Sequence, residues 1–367
     1  MRIVQLANFY SPTSGGLRTA VDTIGNGYLA AGHQRVLIVP GRRRTEIESD
    51  AGLVITLPGP PVSGGYRMVA RPSHIRGALA RLNPDSVEVS DKATMLTAGD
   101  WARANGRGAV LFSHERLDTW LAARLPALRG PALHAAIRRW NHRAAGRFDT
   151  VVVTSKFGEA EFRRIGAANL RRIPLGVDLD TFRPRTRLHD ATIRLVYAGR
   201  LSPEKNPGAV IEAVRLLAHN VTLDVYGHGG ALPALRRQAH GLPVTFHGHL
   251  TSRADLAARL AAADVAFAPS PAETFGLSVL EALACGTPVV AADTGAAGEL
   301  LADGAGVAVP PTPHGLAEGV LSLRKTANRT AARRRAELFP WSATIDAMLE
   351  LHAAVVHGCA VRTGRSR

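Results

Sequence analysis

Short, almost wholly apolar runs alternate with helical stretches along nearly the entire chain, and they do so in two sets. In the first half RIVQLANF, RVLIVPG, LVITLPG, SVEVSD, AVLFSHE and TVVVTS read as strands, being rich in β-branched residues and bounded by Gly, Pro or polar residues. Helical patterns such as Leu17–Ala31 and Pro131–Gly146 separate several of them. In the second half IRLVYAGR, VTLDVYG, VTFHG, VAFAPS, PVVAAD and GVAVP alternate with helical patterns over Pro207–Ala218, Leu232–His240, Arg253–Ala262 and Gly276–Cys285. Strands with no polar alternation are covered on both faces, which demands parallel sheets with helices on either side. The predicted class is therefore α/β, with two doubly wound, Rossmann-like domains.

A chain of 367 residues exceeds what one core ordinarily holds. The join is placed in the polar stretch DLDTFRPRTRLHD, Asp178–Asp190, which gives expected domains of 1–183 and 184–340. Residues 341–367 follow as an amphipathic helix over Trp341–Val356 and a short basic tail, Gly358–Arg367, expected to be disordered. Two cysteines, Cys285 and Cys359, give neither a disulfide framework nor metal-ligand spacing, which suits a reducing compartment. No leader pattern and no uninterrupted apolar window of spanning length is present, so the expected location is cytoplasmic.

The formal net charge of +15 attracts phosphates, on nucleic acid or on anionic lipid, unless it merely reflects a genome that favours arginine. A nucleic-acid binder needs a recognisable module or an aromatic stacking platform. Aromatics are 5% and no such module is visible, so no nucleic-acid partner is expected. The segment Thr119–Phe148 mixes Leu, Ala and Trp with arginines and histidines, the pattern of an interfacial helix, although an ordinary surface helix would show it too.

In open α/β sheets ligands bind beyond the carboxyl ends of the strands, so the residues there are the candidates. After VAFAPS comes PAETFGLSVLEALACGTPVVAAD, with Glu273 before a helix start and Glu281 inside that helix. Amide groups around Thr274–Leu277 lack helical partners and carry partial positive charge. Two carboxylates at this separation suit the hydroxyls of two different sugar rings, although a helix also tolerates such acids as plain solvated residues. After IRLVYA comes GRLSPEKN, where Arg200 and Lys205 flank a turn and make a diphosphate clamp that needs no metal. Ser14-Gly15-Gly16-Leu17 follows the first strand and opens a helix, which lets backbone approach a bulky anion. His114 follows AVLFS, beside Glu115, Arg116 and Asp118. The remaining histidines, His247 and His249 among them, show no trusted ligand spacing, so neither a metal nor a cofactor is expected.

These elements, in this order, resemble the retaining glycosyltransferases of the two-domain B-type fold, the family with the E-x7-E signature (family 4). The resemblance runs from SGGLRTAVDTI through SHERLD, VVVTS, PLGVDLDTF, AGRLSPEKN and YGHG to PAETFGLSVLEALACGTPVVAADTG and FPW. QLANFYSPTSGGLRTAVD, VEVSDK and FSHERLD are most similar to the GDP-mannose-dependent phosphatidylinositol mannosyltransferases of actinobacteria. The resemblance implies two domains facing a central cleft, with the C-terminal helix returning to the first. It implies that Glu273 binds donor-sugar hydroxyls and Glu281 the ribose, while Arg200 and Lys205 hold the diphosphate and neutralise the leaving group. It sets Gly15 and Gly16 against the phosphates, and the N–H groups of Phe275, Gly276 and Leu277 against sugar or phosphate. Gly227 and Leu250 fall near the base, and His114 on the sugar's side. The implied reaction is retaining transfer of an α-(1-6) mannose from GDP-mannose to a phosphatidylinositol mannoside, by an enzyme peripheral on the inner face of the membrane. The rival inside the class is a UDP-sugar (or GDP-mannose) donor with a soluble metabolite or glycan acceptor. Glu115 and Asp118 are the carboxylates open to a nucleophilic role, and Asp255 in HLTSRAD is a candidate for reading guanine.

Overall fold

The structure is a computed structural model that describes residues 1–11, 15–62, 65–119, 130–186, 191–217 and 220–363. The chain divides into two compact units, Met1–Pro174 with Trp341–Arg367, and Leu175–Pro340. The first holds β1 (Arg2–Leu6), α1 (Gly16–Ala30), β2 (Gln34–Gly41), β3 (Thr45–Ser49), β4 (Gly52–Pro58), α2 (Pro72–Leu82), β5 (Ser86–Val89), α3 (Thr97–Ala104), β6 (Gly108–Ser113), α4 (Pro131–Ala145), β7 (Thr150–Val153), α5 (Lys156–Arg163) and β8 (Leu170–Arg172). Its sheet runs β3-β4-β2-β1-β5-β6-β7-β8, parallel except for β3. Two of these strands have no counterpart in the apolar pattern. β3, TEIES, is a polar edge strand with Ile47 exposed, and β8 spans only LRR.

The second unit holds β9 (Ile193–Ala198), α6 (Pro207–Leu216), β10 (Val221–Tyr226), α7 (Leu232–Gln238), β11 (Val244–Gly248), α8 (Arg253–Ala262), β12 (Val265–Ala268), α9 (Leu277–Ala284), β13 (Val289–Ala292), β14 (Gly306–Val309), α10 (Pro313–Thr326) and α11 (Arg329–Glu337). Its six strands, all parallel, lie in the order β11-β10-β9-β12-β13-β14. Each sheet grows outward in both directions from one strand, β1 in the first unit and β9 in the second. The places where the winding reverses, β1/β5 and β9/β12, are where such sheets open to ligands.

The division falls at Pro174/Leu175, earlier than residue 183. Leu175, Val177 and Phe182 are buried. Val177 N–H donates to the Phe339 carbonyl at 2.9 Å, and Arg333 Nη1 donates to the carbonyls of Leu179 (3.2 Å) and Phe182 (2.8 Å). These contacts make 175–183 part of the second unit. Residues 187–190 of the anticipated linker lie outside the described residues.

The last helix, α12 (Trp341–Thr363), belongs to the first unit. It continues through most of the tail expected to be disordered, and residues 364–367 lie outside the described residues. By length and composition it is apolar enough to cross a membrane, yet buried polar contacts fix it to the sheet. His352, fully buried, meets Ser86 Oγ through Nδ1 (2.8 Å) and Glu88 Oε2 through Nε2 (3.2 Å). Glu88 also accepts from Tyr28 Oη (2.6 Å) and Gln5 Nε2 (3.0 Å), and Arg35 Nε donates to Gln5 Oε1 at 2.8 Å. Burial pushes the Glu88 carboxyl up, but His352, Tyr28 and Gln5 outweigh it, and the group sits below its ordinary range.

Candidate active site

The winding reversal of the second unit is occupied by charge. β9 ends at Ala198, and the chain continues through Gly199, the exposed Arg200 and a single 3-10 turn, Pro203–Lys205. β12 ends at Ala268 and leads to Glu273. Lys205 Nζ donates to Glu273 Oε2 at 2.7 Å, so residues 68 apart in the chain meet across the switch point. The Glu273 side chain is 21% exposed. Burial raises its pKa, but the Lys205 ammonium and the amides of Phe275 and Thr274 more than compensate, so it is held below the ordinary carboxylate range.

Three contacts lock this geometry. Ser270 Oγ donates to the Glu204 carbonyl at 3.0 Å, tying the two strand-end loops together. Asn206, in the left-handed region with φ +54, donates through Nδ2 to the Pro311 carbonyl at 2.8 Å and fixes the turn that carries Lys205. The buried Tyr197 hydroxyl donates to the Arg200 carbonyl at 3.0 Å. Its pKa is raised by burial and by Glu273 and Glu204, and lowered by Arg200, so all three charges gather about it. None of Tyr197, Ser270 and Asn206 stood out as a site residue in the sequence. An Asn placed directly before the helix-opening Pro207 was the one visible signal.

The helix after this loop, α9, begins behind Gly276, whose φ of +105 turns the chain into it without a side-chain cap. The Phe275 N–H, expected to reach sugar or phosphate, lies beside the Glu273 carboxylate and helps to hold its pKa down. Gly276 and Leu277 stand at the helix start as expected. Glu281, one turn on and 13% exposed, accepts from Arg253 Nη2 at 3.1 Å. Burial raises its pKa, against the pull of Arg253. Arg253, the first residue of α8, was not anticipated, because TSRAD gives no hint that it reaches a residue 28 positions on. Asp255 sits exposed in the first turn of α8, whose N-terminal amide dipoles favour such an acid.

Gly227 follows β10, and its N–H donates to the Gly248 carbonyl at 2.7 Å while Gly199 N–H donates to the Tyr226 carbonyl at 2.9 Å. Three adjacent strand ends are thereby stitched together, with Leu250 half-buried just beyond the third. Gly227 has φ +143, and a Cβ there would fall 1.9 Å from the Gly199 carbonyl oxygen. Gly227→Ala is therefore expected to cost on the order of 2–3 kcal/mol and to displace the Arg200 loop. Thermal unfolding and GDP titration check this, and unchanged values of both would refute it.

In the first unit, Gly15 caps α1 and Gly16 opens it; both are exposed, and a Cβ on Gly15 would touch nothing. Ser14 lies outside the described residues. His114 follows β6, stacks on Phe112 with ring centres 4.3 Å apart, and meets Ser90 Oγ through Nε2 at 3.2 Å. Burial drives its pKa down to about 4, so the imidazole is neutral at pH 7. Asp118 is no free nucleophile: it accepts from Arg116 Nε at 2.9 Å and from its own neighbour Thr119 N–H at 2.7 Å, and lies 3.6 Å from Arg164. Glu115 is exposed. Among the described residues no group of three or more His, Cys, Asp or Glu is placed to hold a metal ion.

Solved structures share this architecture. Sucrose-phosphate synthase of Thermosynechococcus elongatus superposes with a TM-score of 0.80, at 22% identity, covering 97% of this chain and 99% of that one. HepE of Anabaena, solved in complex with UDP, superposes with a TM-score of 0.76 at 20% identity, covering 96% and 100%. Two doubly wound units of this kind define the two-domain B-type fold of glycosyltransferases. The family model described as Glycosyltransferase Family 4 matches residues 14–181, and that described as Glycosyl transferases group 1 matches 192–326. The chain belongs to glycosyltransferase family 4. A relative in Mycobacterium tuberculosis, GDP-mannose-dependent alpha-(1-6)-phosphatidylinositol dimannoside mannosyltransferase, is 45% identical over 366 residues, covering 95% of each chain.

Proposed function

We propose that this enzyme is a retaining mannosyltransferase that moves mannose from GDP-mannose to a phosphatidylinositol dimannoside with an α-(1-6) linkage, using neither metal nor cofactor. The Lys205–Glu273 pair at the β9/β12 switch point supports the transferase chemistry. The identity of 45% along 95% of the chain supports this donor and acceptor.

In this reading Arg200 and Lys205 neutralise the charge that builds on the departing diphosphate, the chief barrier in the reaction. Glu273 accepts hydrogen bonds from mannose hydroxyls while Lys205 keeps it ionised. Glu281 accepts from the ribose, with Gly227 and Leu250 near the base, and the Gly276 and Leu277 amides face the sugar or phosphate. The Gly15–Gly16 backbone serves the phosphates, and neutral His114 accepts from a sugar hydroxyl. The bond from the anomeric carbon to the phosphate oxygen breaks, and one to the acceptor oxygen forms on the same face. The acceptor's proton passes to the departing diphosphate.

The acceptor's lipid tails require a surface. α4 supports one: Arg138, Arg139, His142 and Arg143 are exposed on it, and Trp140 is 40% exposed. That helix is the described part of the interfacial segment, of which residues 120–129 lie outside the described residues. We place the enzyme as a peripheral protein on an anionic, cytoplasmic membrane face. The test is transfer of label from GDP-mannose, UDP-glucose or UDP-galactose to vesicles carrying phosphatidylinositol dimannoside, with linkage read by NMR. An α-(1-6) mannosyl lipid from GDP-mannose alone is expected; label only from a UDP-sugar, or only onto soluble acceptors, would remove the reading.

A further inference from the structure

The winding reversal of the first unit also carries a lysine–glutamate pair, but a buried one. Beyond β5 the chain runs Ser90-Asp91-Lys92. Lys92 Nζ donates to Glu161 Oε2 on α5 at 2.6 Å, and the two side chains are only 8% and 3% exposed. Taking two charges out of water is costly, and a protein recovers the loss only where their remaining bonding capacity is used. Glu161 uses its second oxygen: Oε1 accepts the Leu117 N–H at 2.7 Å, and Leu117 belongs to the loop that leaves β6 through His114. The Lys92 ammonium lies 5.2 Å from the centre of the Phe162 ring. The Lys92 carbonyl takes the Trp140 Nε1–H from α4 at 2.7 Å, and Asp91 takes Asn8 Nδ2 from the end of β1 at 2.8 Å. Two residues before Lys92, Ser90 Oγ meets His114 Nε2 at 3.2 Å.

Burial this deep keeps Lys92 and Glu161 off any substrate, so the pair acts through what it holds. It joins the loop after β5 to the loop after β6, and Ser90 on the first meets His114 on the second. We propose that Lys92 is a positioning residue for His114: clamped on Glu161, it fixes the two strand-end loops against each other, so that Ser90 holds the imidazole where a sugar hydroxyl donates to it. His114 has that part in the function proposed above, on which this inference rests. The charges around the ring serve the same end. Burial lowers the His114 pKa most; Glu88 raises it and Lys92 lowers it further, which favours the neutral ring. In a neutral imidazole one nitrogen donates and the other accepts, and the bond made at one sets the role of the other. The Ser90 contact at Nε2 therefore bears on the tautomer as well as on the orientation.

Lys92→Met alone would strand a buried carboxylate, so the test pairs it with Glu161→Gln, which keeps an oxygen for the Leu117 N–H and leaves neither charge behind. The full-length double variant is expected to fold and to bind GDP as the wild type does. Its kcat for mannosyl transfer should fall about tenfold or more, the scale on which a misplaced group costs rate. The 15N resonance of His114 Nε2, assigned with His114→Asn, should move towards its position in Ser90→Ala, which lacks the hydroxyl partner. Adding Ser90→Ala to the double variant should cost little more, because both changes break one line of support. Trp140→Phe removes no charge and keeps a ring on α4, yet it frees the Lys92 carbonyl. It should move the same resonance the same way and lower kcat about threefold, the scale of one hydrogen bond, with vesicle binding unchanged. An unmoved Nε2 resonance with kcat within about twofold of wild type overturns the proposal, read in the double variant or, where that variant does not fold, in Trp140→Phe. A moved resonance without any mannosyl transfer sinks the mannosyltransferase reading and leaves the positioning role standing. Mannosyl transfer with an unmoved resonance does the reverse.

Discussion

Lys205→Ala is expected to lower kcat about a hundredfold or more, equivalent to roughly 3 kcal/mol of lost transition-state stabilisation. The ammonium is fixed at the strand end before the reaction starts, by its bond to the Glu273 carboxylate and by the turn that Asn206 pins to the Pro311 carbonyl. The acid limb of the rate profile should move as well. In the native site Lys205 helps hold Glu273 below the ordinary carboxylate range, so Glu273 remains ionised as the pH falls. Without the ammonium the burial contribution is left weakly opposed, the carboxyl protonates at higher pH, and the acid limb shifts upward. Lys205→Arg should restore part of the rate and most of the pH profile. Steady-state kinetics across pH decide the matter; a loss below about fivefold with an unmoved acid limb would show that the pair is merely a surface ion pair.

The largest expected stability effect lies in the first unit. Glu88→Ala removes a buried carboxylate and leaves Tyr28, Gln5 and His352 without their shared acceptor. Such a break costs about 3–5 kcal/mol, and α12 should loosen with it, because His352 is that helix's deepest polar contact with the sheet. The pH sign follows from the direction of the shift. A carboxylate held below its unfolded pKa adds stability that is fully present above the unfolded value and lost as pH falls through the folded one. The wild-type first unit should therefore lose stability in acid, and Glu88→Ala should show both a lower plateau and a flatter acid decline. Urea unfolding followed at several pH values measures both. Hydrogen exchange along 341–363 shows whether the helix is released. A plateau within 1 kcal/mol of wild type, on the scale of that expected loss, would mean the cluster is incidental.

Much of this was legible in the letters. The twelve apolar runs quoted at the outset all became strands, because an apolar run bounded by turn residues has few other ways to bury itself. β3 and β8 escaped for opposite physical reasons: TEIES is polar because an edge strand faces water, and LRR is too short to carry a period. The sequence singled out Arg200, Lys205 and Glu273 because they follow apolar runs ahead of helix starts, and Glu281 because it lies one turn inside the helix that follows. Arg253, Tyr197 and Ser270 were not, since each acts through a partner brought close only by packing.

Sequence alone settled the local matters: which segments are strands, which loops follow them, and which charges those loops carry. Backbone sterics and burial of side chains on both faces act within a few residues, so their pattern is written in order along the chain. The three-dimensional arrangement decided which strand ends are neighbours. β9 lies beside β12 because the winding reverses there, and that reversal alone joins Lys205 to Glu273. A parallel sheet takes its strand order from how crossover helices pack on its two faces, and no window of residues encodes that sum.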